Sequence, residues 1–400
     1  MLAVAIVADD LTGAFDAAAP FAERAVTTKV ACRPTALASA LEDSPAVLSV
    51  NAATRHVAPE VAARTVGDIC RNLVQSRPRL LFKKIDSTLR GNVVVETLAA
   101  LDASGRKEVI LTPAIPSQGR TMRAGIVHVG GVALPATPFV HDAVTPASPV
   151  PLVEQFRALA PGVACAVVGA APPPKANERR IYLADAEIDD DLARIAAWAE
   201  PRLEQALLVG SAGLGNALAQ RLYGAPRPHP RPVLGTHAIL FVVGSQSTVS
   251  DRQAAWLLAR DHNCALLLAP AGRLDPAATR AAMAAGARDL LARVPPEPAD
   301  DPAIVAGRLG RAVADLVRGA AIGALVMTGG DTAQAVLESL ARPVVTLVGE
   351  LRPGIPLSSV RLNQRTLWLV TKAGGFGTDD LFAEIPGLLG SYSVPRSLSE

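Results

Sequence analysis

Aromatic side chains make up only 4% of this 400-residue chain, and there are just four cysteines. Cys32, Cys70, Cys165 and Cys264 stand far apart with no CxxC. That spacing excludes a disulfide scaffold and fits buried, reduced thiols in a cytoplasmic protein. An excess of one charge is also lacking: 39 basic against 37 acidic residues leave +2, with no charged tail. Nothing therefore points to nucleic acid or to a membrane surface. No uncharged apolar run reaches the ~18 residues of a membrane span. The opening MLAVAIVADDLTGA lacks the basic start of a signal peptide and meets two carboxylates at once. Several catalytic signatures are missing too. There is no GxxxxGK[ST], no GxGxxG, no HExxH and no GxSxG, and the six histidines are scattered. These gaps exclude a P-loop enzyme and argue against a nicotinamide or flavin oxidoreductase.

What is present is apolar: half the residues, mostly Ala, Leu and Val. That much apolar chain excludes disorder and supports a sizeable core. Short apolar runs at Leu2–Ala8, Ala46–Val50, Leu80–Lys83, Glu108–Leu111, Val163–Val168 and Ala206–Val209 read as buried strands. Ala14–Arg24, Glu60–Gln75 and Leu192–Ala199 between them read as helices. Continuous apolar strands alternating with helices predict a parallel sheet covered on both faces. Proline at every second position from Ala225 to Gly235 predicts a stiff linker over 226–235. The domains expected are therefore 1–225 and 236–400.

The pattern restarts after the linker. Strands are expected at Ala238–Val243, Ala265–Ala269, Ala324–Met327, Val344–Val348 and Leu367–Thr371. Helices are expected at Asp251–Arg260, Pro276–Arg293 and Ile304–Arg318, with a proline- and acid-rich loop over Pro295–Pro302. In the first domain, Pro135–Pro151 reads as a surface excursion and Pro172–Pro174 as a local breaker.

Polar motifs sit where strands end, the edge at which open parallel sheets bind ligands. Asp9-Asp10-Leu-Thr-Gly13 ends the first strand. One residue of it, Asp10 or Thr12, can cap the following helix, but the second carboxylate then needs another purpose. Lys83-Lys84-Ile-Asp86-Ser87-Thr-Leu-Arg90-Gly-Asn92 mixes cations, hydroxyls and a helix start, a good anion site against the plainer reading of a solvated turn. Asn51-Ala-Ala-Thr54-Arg55 would place Arg55 on the same rim. Pro113–Thr121, with Arg120, could cover a substrate or merely turn the chain, and Val209–Gly215 reads as a tight packing turn. The second domain carries three glycine turns after strands: Gly244-Ser245-Gln-Ser-Thr248, Thr328-Gly329-Gly330-Asp331-Thr332 and Lys372-Ala-Gly374-Gly375-Phe-Gly377. One such turn usually just turns, but three on one sheet edge predict backbone amides around a nucleotide phosphate.

The stretches IVADDLTGAFDAA, FKKIDSTLRGN, PAIPSQGRTMRAGIVHVGG, LLVGSAGLGNALA, VMTGGDTAQAVL and TKAGGFGTDDLF, in this order, resemble the four-carbon acid sugar kinases that act on D-threonate, D-erythronate or 3-oxo-tetronate. The resemblance spans Val4 to about Phe382. It implies two α/β domains, each a mostly parallel sheet flanked by helices, with the active site in the interdomain cleft. The substrate side would be Asp9, Asp10, Arg55, Lys83, Lys84, Asp86, Ser87 and Arg90. The ATP side would be Ser245, Gly329, Gly330, Asp331, Thr332 and Gly375. Where the family often reads Gly-Ser-Cys-Ser, this chain has Gly-Ser-Gln-Ser at 244–247. The closing Lys-Ala-Gly-Gly-Phe-Gly is closer to the threonate kinases.

The implied reaction carries the γ-phosphoryl of ATP, with Mg²⁺, to the terminal hydroxyl of a four-carbon sugar acid, D-threonate first. Asp10 or Asp86 would take the proton; no residue is assigned to the metal. A small-molecule acid is the expected partner, in a cytoplasmic enzyme for which a homodimer is an open arrangement. Two rivals stand beside it: a sugar-acid sensor that kept the fold, and a dehydrogenase of the same acids, disfavoured by the missing GxGxxG.

Overall fold

The structure is a computed structural model that describes residues 2–142, 145–169, 178–227, 232, 234, 237–296 and 300–390. It divides into two units, Met1–Arg227 and Pro228–Glu400. The breaker at Pro172–Pro174, most of the expected linker and parts of the Pro135–Pro151 and Pro295–Pro302 stretches lie outside the described residues.

The first unit opens with β1 (Val4–Ala8), α1 (Leu11–Ala22), β2 (Thr28–Ala31), α2 (Leu37–Glu42) and β3 (Val47–Asn51). Next come α3 (Pro59–Val74), β4 (Leu80–Lys84), α4 (Val93–Ser104) and β5 (Glu108–Thr112). A three-stranded ribbon of β6 (Arg120–Arg123), β7 (Ile126–Val129) and β8 (Val132–Ala133) follows, then α5 (Leu152–Leu159) and β9 (Ala164–Val168). The unit closes with β10 (Arg180–Ala184), α6 (Asp189–Ala199), β11 (Ala206–Gly210) and α7 (Ala212–Tyr223). Its strands lie in the order β2-β3-β1-β4-β11-β5-β10-β9, all parallel. Every residue of β1, β3, β4, β5 and β11 is buried. This is why those segments read as unbroken apolar runs: helices cover both faces. α1, α6 and α7 pack together on one side, and α3, α4 and α5 on the other.

Register fixes the functional edge. Ala8 of the central β1 pairs with Asn51 of β3 and with Lys84 of β4. In a parallel sheet these three strands end together, so the segments that follow them must emerge at one rim. The short strands β2 and β10 were not expected from the sequence; β2 is only four residues long.

The second unit contains β12 (Ala238–Val243), α8 (Thr248–Arg260), β13 (Cys264–Leu268), α9 (Pro276–Ala284), β14 (Asp289–Arg293) and α10 (Pro302–Gly319). It continues with β15 (Ile322–Thr328), α11 (Gly330–Ser339), β16 (Val344–Arg352), β17 (Ile355–Leu362), β18 (Arg365–Lys372) and α12 (Leu381–Leu388). The order is β13-β14-β12-β15-β18-β17-β16, with β13 through β18 parallel and β17 antiparallel to both its neighbours. The single helix expected over Pro276–Arg293 is corrected. It ends at Ala284, Gly286 adopts φ 93°, and the apolar Leu290, Leu291 and Ala292 form a buried strand. Alanine-rich propensity lost here to a glycine turn and sheet burial. The antiparallel β17 was also missed, because Pro356 and two serines interrupt its apolar pattern.

The Val209–Gly215 segment is a packing turn. A Cβ on Gly213 would lie 2.3 Å from the Ala114 carbonyl oxygen and one on Gly210 2.6 Å from that of Thr112. Alanine improves helix propensity by about 1 kcal/mol, but overpacking against fixed backbone costs about 1–3 kcal/mol. Gly213→Ala is therefore expected to destabilise the first unit, read from its transition in denaturant. Unchanged or increased stability would show that the contact is soft.

Candidate active site

Asp10 is the N-cap of α1, its Oδ1 accepting from the Gly13 amide at 2.8 Å. Arg55, in the loop after β3, reaches back across the rim. Its Nε donates to Asp9 Oδ2 at 2.7 Å, Nη1 lies 2.8 Å from Asp10 Oδ2, and Nη2 lies 3.9 Å from Asp86 Oδ1. The second aspartate of the pair thus has its purpose: both carboxylates share one guanidinium. Burial alone would raise the Asp9 carboxyl, but Arg55, with Lys83 and Lys84 behind it, holds it below its ordinary value.

Asp86 organises the turn after β4. It accepts from the Thr88 amide at 3.1 Å, the Thr88 hydroxyl, and Arg90 Nε and Nη2 at 3.0 and 3.1 Å. Burial opposes its ionisation, yet Arg55 and Arg90 hold the carboxyl well below the usual range. Arg90 also meets Asp142 at 3.4 Å. Ser87 is buried within this turn. The sequence offered Asp86 as a proton acceptor. Both of its oxygens are engaged by donors within this turn.

Lys83 and Lys84, adjacent on β4, project to opposite faces. Lys83 is fully buried, 2.7 Å from Glu96 of α4, and donates to the Lys84 carbonyl at 2.7 Å. The expected placement of Lys83 on the rim is therefore corrected: its charge is spent inside the fold. Lys84 lies on the α1 side, where a Cβ on Gly13 would stand 3.0 Å from Nζ. Its ammonium donates to the Ile85 carbonyl at 3.0 Å and has no carboxylate within ion-pair distance among the described residues.

Two residues that the sequence reading left unassigned border this cluster. Arg120, opening β6, donates from Nη1 to Gln118 at 2.6 Å, while its Nε is buried without a partner. Burial lowers its pKa, and Asp86 and Arg90 are both close enough to act on it. Asp16 of α1 is half-buried, and burial pushes its carboxyl up to about 7 against the pull of Lys84. Its signal was a lone charge in an otherwise apolar helix. A cavity of about 320 Å³ lies beside Leu89, Gly91, Val93, Ala147 and Leu152, next to the Arg90 turn and with Gly91 packed against Arg55.

In the second unit the three glycine turns follow β12, β15 and β18, which are sheet neighbours, and they meet. A Cβ on Gly374 would lie 2.2 Å from Ser245 Oγ, one on Gly244 2.2 Å from Thr332 Oγ1, and one on Gly329 3.7 Å from Ser245 Cβ. The Gly329 amide donates to the Lys372 carbonyl at 3.0 Å. Gly329 caps α11 with φ 92° and ψ 136°. Gly330 and exposed Asp331 begin the helix, and Thr332 is buried. Gly375 is exposed, with open space where a Cβ would stand. α8 begins at Thr248, earlier than the expected Asp251, and its cap is Ser247. Ser250 donates to the Gly374 carbonyl at 2.8 Å, and Asp251 pairs with Arg293. Among the described residues no group of three or more His, Cys, Asp and Glu is placed to hold a metal ion.

One unit thus presents a rim of charged side chains, and the other a cluster of helix starts and glycine turns. Residues 4–218 match the family model described as a sugar-binding N-terminal domain, and residues 240–382 the one described as a nucleotide-binding C-terminal domain. A D-threonate kinase of Bordetella bronchiseptica is 34% identical over 94% of this chain and 95% of its own. A 3-oxo-tetronate kinase of Pseudomonas fluorescens is 27% identical over 96% of each. A solved Haemophilus influenzae structure of the DUF1537 family superposes with a TM-score of 0.75, covering 96% of this chain and 100% of that one; at 21% identity it speaks for the fold alone. The chain belongs to the four-carbon acid sugar kinase family, and it is a kinase that uses ATP.

Removing one partner of a buried ion pair costs about 3–5 kcal/mol, whereas apolar replacement of both is often neutral. Lys83→Met should lower the first unit's stability by about that amount. Lys83→Met with Glu96→Leu should recover most of it in the same denaturant titration. Failure of the double substitution to recover would show that the pair itself is stabilising.

Proposed function

We propose that the chain transfers the γ-phosphoryl group of ATP to the terminal hydroxyl of D-threonate, the substrate carboxylate lying against Lys84 with Arg120 nearby. The observation that carries this reading is the state of the cations. Lys83, Arg55 and Arg90 are each matched to carboxylates, while the Lys84 ammonium and the Arg120 Nε are not. A buried ammonium without a counter-charge is costly, and an anionic substrate supplies one. D-threonate is preferred over 3-oxo-tetronate and D-erythronate because identity is higher to the D-threonate kinase, 34% against 27% for the 3-oxo-tetronate kinase.

Phosphoryl transfer relies on positioning and charge neutralisation more than on covalent chemistry. The amides at Gly330, Asp331 and Thr332, which open α11 after the Gly329 cap, suit the nucleotide phosphates, with Ser245 and Gly375 around them. Mg²⁺ enters with ATP as part of the co-substrate, held by phosphate oxygens and water. Asp9, Asp10, Arg55, Asp86, Ser87 and Arg90 build the wall on which the acid rests.

A charge-assisted contact contributes about 1.5–3 kcal/mol, and each 1.4 kcal/mol is tenfold in binding. In steady-state assays kcat/KM should favour D-threonate over the 3-oxo acid and D-erythronate. It should exceed that for threitol, the neutral counterpart, by about 10- to 150-fold. Lys84→Met should shrink the threonate-to-threitol ratio while ADP affinity stays near wild type. An unchanged ratio would remove Lys84 from the carboxylate site. On the nucleotide side, a side chain at the φ of Gly329 is strained by about 1–3 kcal/mol. Gly329→Ala should weaken ADP binding by roughly tenfold or more in calorimetry, and unaltered binding would move the phosphates away from that turn.

A further inference from the structure

Phosphorylating a hydroxyl requires somewhere for its proton to go, and the carboxylates of the rim are mostly occupied. Asp9 binds Arg55 through Oδ2 and is almost fully buried. Asp10 uses one oxygen for the α1 cap and the other for Arg55. Asp86 has both oxygens on donors, and Glu96 is sealed inside with Lys83. Asp16 differs from all of these. Asp9 Oδ1 and Glu96 Oε1 are also buried without a partner, but each of those residues keeps an ion pair through its other oxygen; among the described residues the Asp16 side chain makes no hydrogen bond and no ion pair at all.

Its placement is equally particular. Of the twelve residues of α1, ten are buried; the two that are not are Thr12 and Asp16, one turn apart on the same face. That face begins at the Asp10 cap on the functional edge. Lys84 is the cation with the largest effect on Asp16, with smaller effects from the Asp10 carboxylate and Arg55, and no nitrogen of Lys84 or Arg55 comes within ion-pair distance. The other elements against α1 bring few charges. β2 carries Lys29, tied to Asp43, and α7 carries Arg221, tied to Glu200. An ammonium with no carboxylate beside it and a carboxylate oxygen with no donor thus lie close enough for each to act on the other.

We infer that Asp16, rather than Asp10 or Asp86, is the catalytic base that accepts the proton of the attacking hydroxyl. This rests on the sugar-acid kinase reading. As the substrate oxygen bonds to the γ-phosphorus, its proton passes to an oxygen of Asp16. The bond from that phosphorus to the bridging oxygen breaks, and its electron pair leaves with ADP. Asp16 then returns the proton to solvent. A carboxyl whose burial has raised it to about 7 is well matched to this task near neutrality.

The test uses the full chain with MgATP and whichever four-carbon acid the wild type turns over fastest, so that a wrong choice of acid leaves the Asp16 assignment testable. Wild-type kcat/KM should fall with unit slope below a pH near 7, because only the ionised carboxylate accepts a proton. Asp16→Asn should lower kcat by about 100-fold or more, leave both KM values within about threefold, and lose the acidic limb. Asp16→Glu should regain part of kcat together with the limb. A raised folded-state pKa destabilises the ionised protein as pH climbs, so Asp16→Asn should melt above wild type at pH 8, with a smaller gap at pH 5. That melting also shows whether the variant is folded. A kcat within tenfold of wild type, a loss confined to KM, or an acidic limb that persists in Asp16→Asn would overturn the assignment.

Discussion

One guanidinium holds the rim of the first unit together. Arg55 lies against Asp9, Asp10 and Asp86, three carboxylates carried by the ends of β1 and β4. Without a cation among them these groups would repel one another in a partly desolvated corner, where Coulomb energies are several-fold larger than in water. With it, the segments after three neighbouring strands are tied at their tips, and the hydrogen bonds from Thr54 and Arg55 amides to the Asp9 carbonyl complete the tie. Asp86 shows the strength of the arrangement: its carboxyl is held well below the usual range although burial opposes ionisation. Such a group contributes stability above its unfolded pKa of about 3.9 and loses it as pH falls further. The rim is thus built for neutral pH.

The division of labour among the charges follows from this knot. Carboxylates and cations that satisfy one another form the wall. The proposed chemistry falls to those left over. Among the described residues Lys84 has no carboxylate within ion-pair distance, Arg120 a buried Nε without an acceptor, and Asp16 an oxygen without a donor. Each is a local cost to the fold, the kind of strain proteins keep at functional sites and rarely elsewhere. In the second unit the equivalent device is steric rather than ionic. Gly244 and Gly374 sit where a Cβ would press on Thr332 and Ser245, so the three loops pack closely against one another.

Much of this was legible in the sequence, and the reason is the parallel sheet. Unbroken apolar runs mark strands buried on both faces, and such strands deliver whatever follows them to one edge, so Asp9, Arg55, Asp86 and the three glycine turns could be grouped before any coordinates existed. What could not be read was pairing. Lys83 and Lys84 look equivalent in the chain, yet strand alternation sends one to Glu96 under α4 and the other to the first turn of α1. Knowing which side was which required knowing where α4 packs. Asp16 escaped notice because its neighbours are alanines and phenylalanine. A single carboxylate in an apolar helix signals either a partner or a function, and among the described residues there is no partner. The helix expected through Pro276–Arg293 failed for the opposite reason: alanine propensity was strong, but Gly286 and a place in the sheet were stronger.

The proposed reaction makes a phosphate ester of a four-carbon acid at its terminal hydroxyl. Nuclear magnetic resonance of the product formed by the full chain from ATP and D-threonate tests this. One new phosphorus signal, coupled to the two protons on the terminal carbon, should appear in step with ADP. Phosphate on an internal hydroxyl or on the carboxylate, or ADP released with only inorganic phosphate, would contradict it.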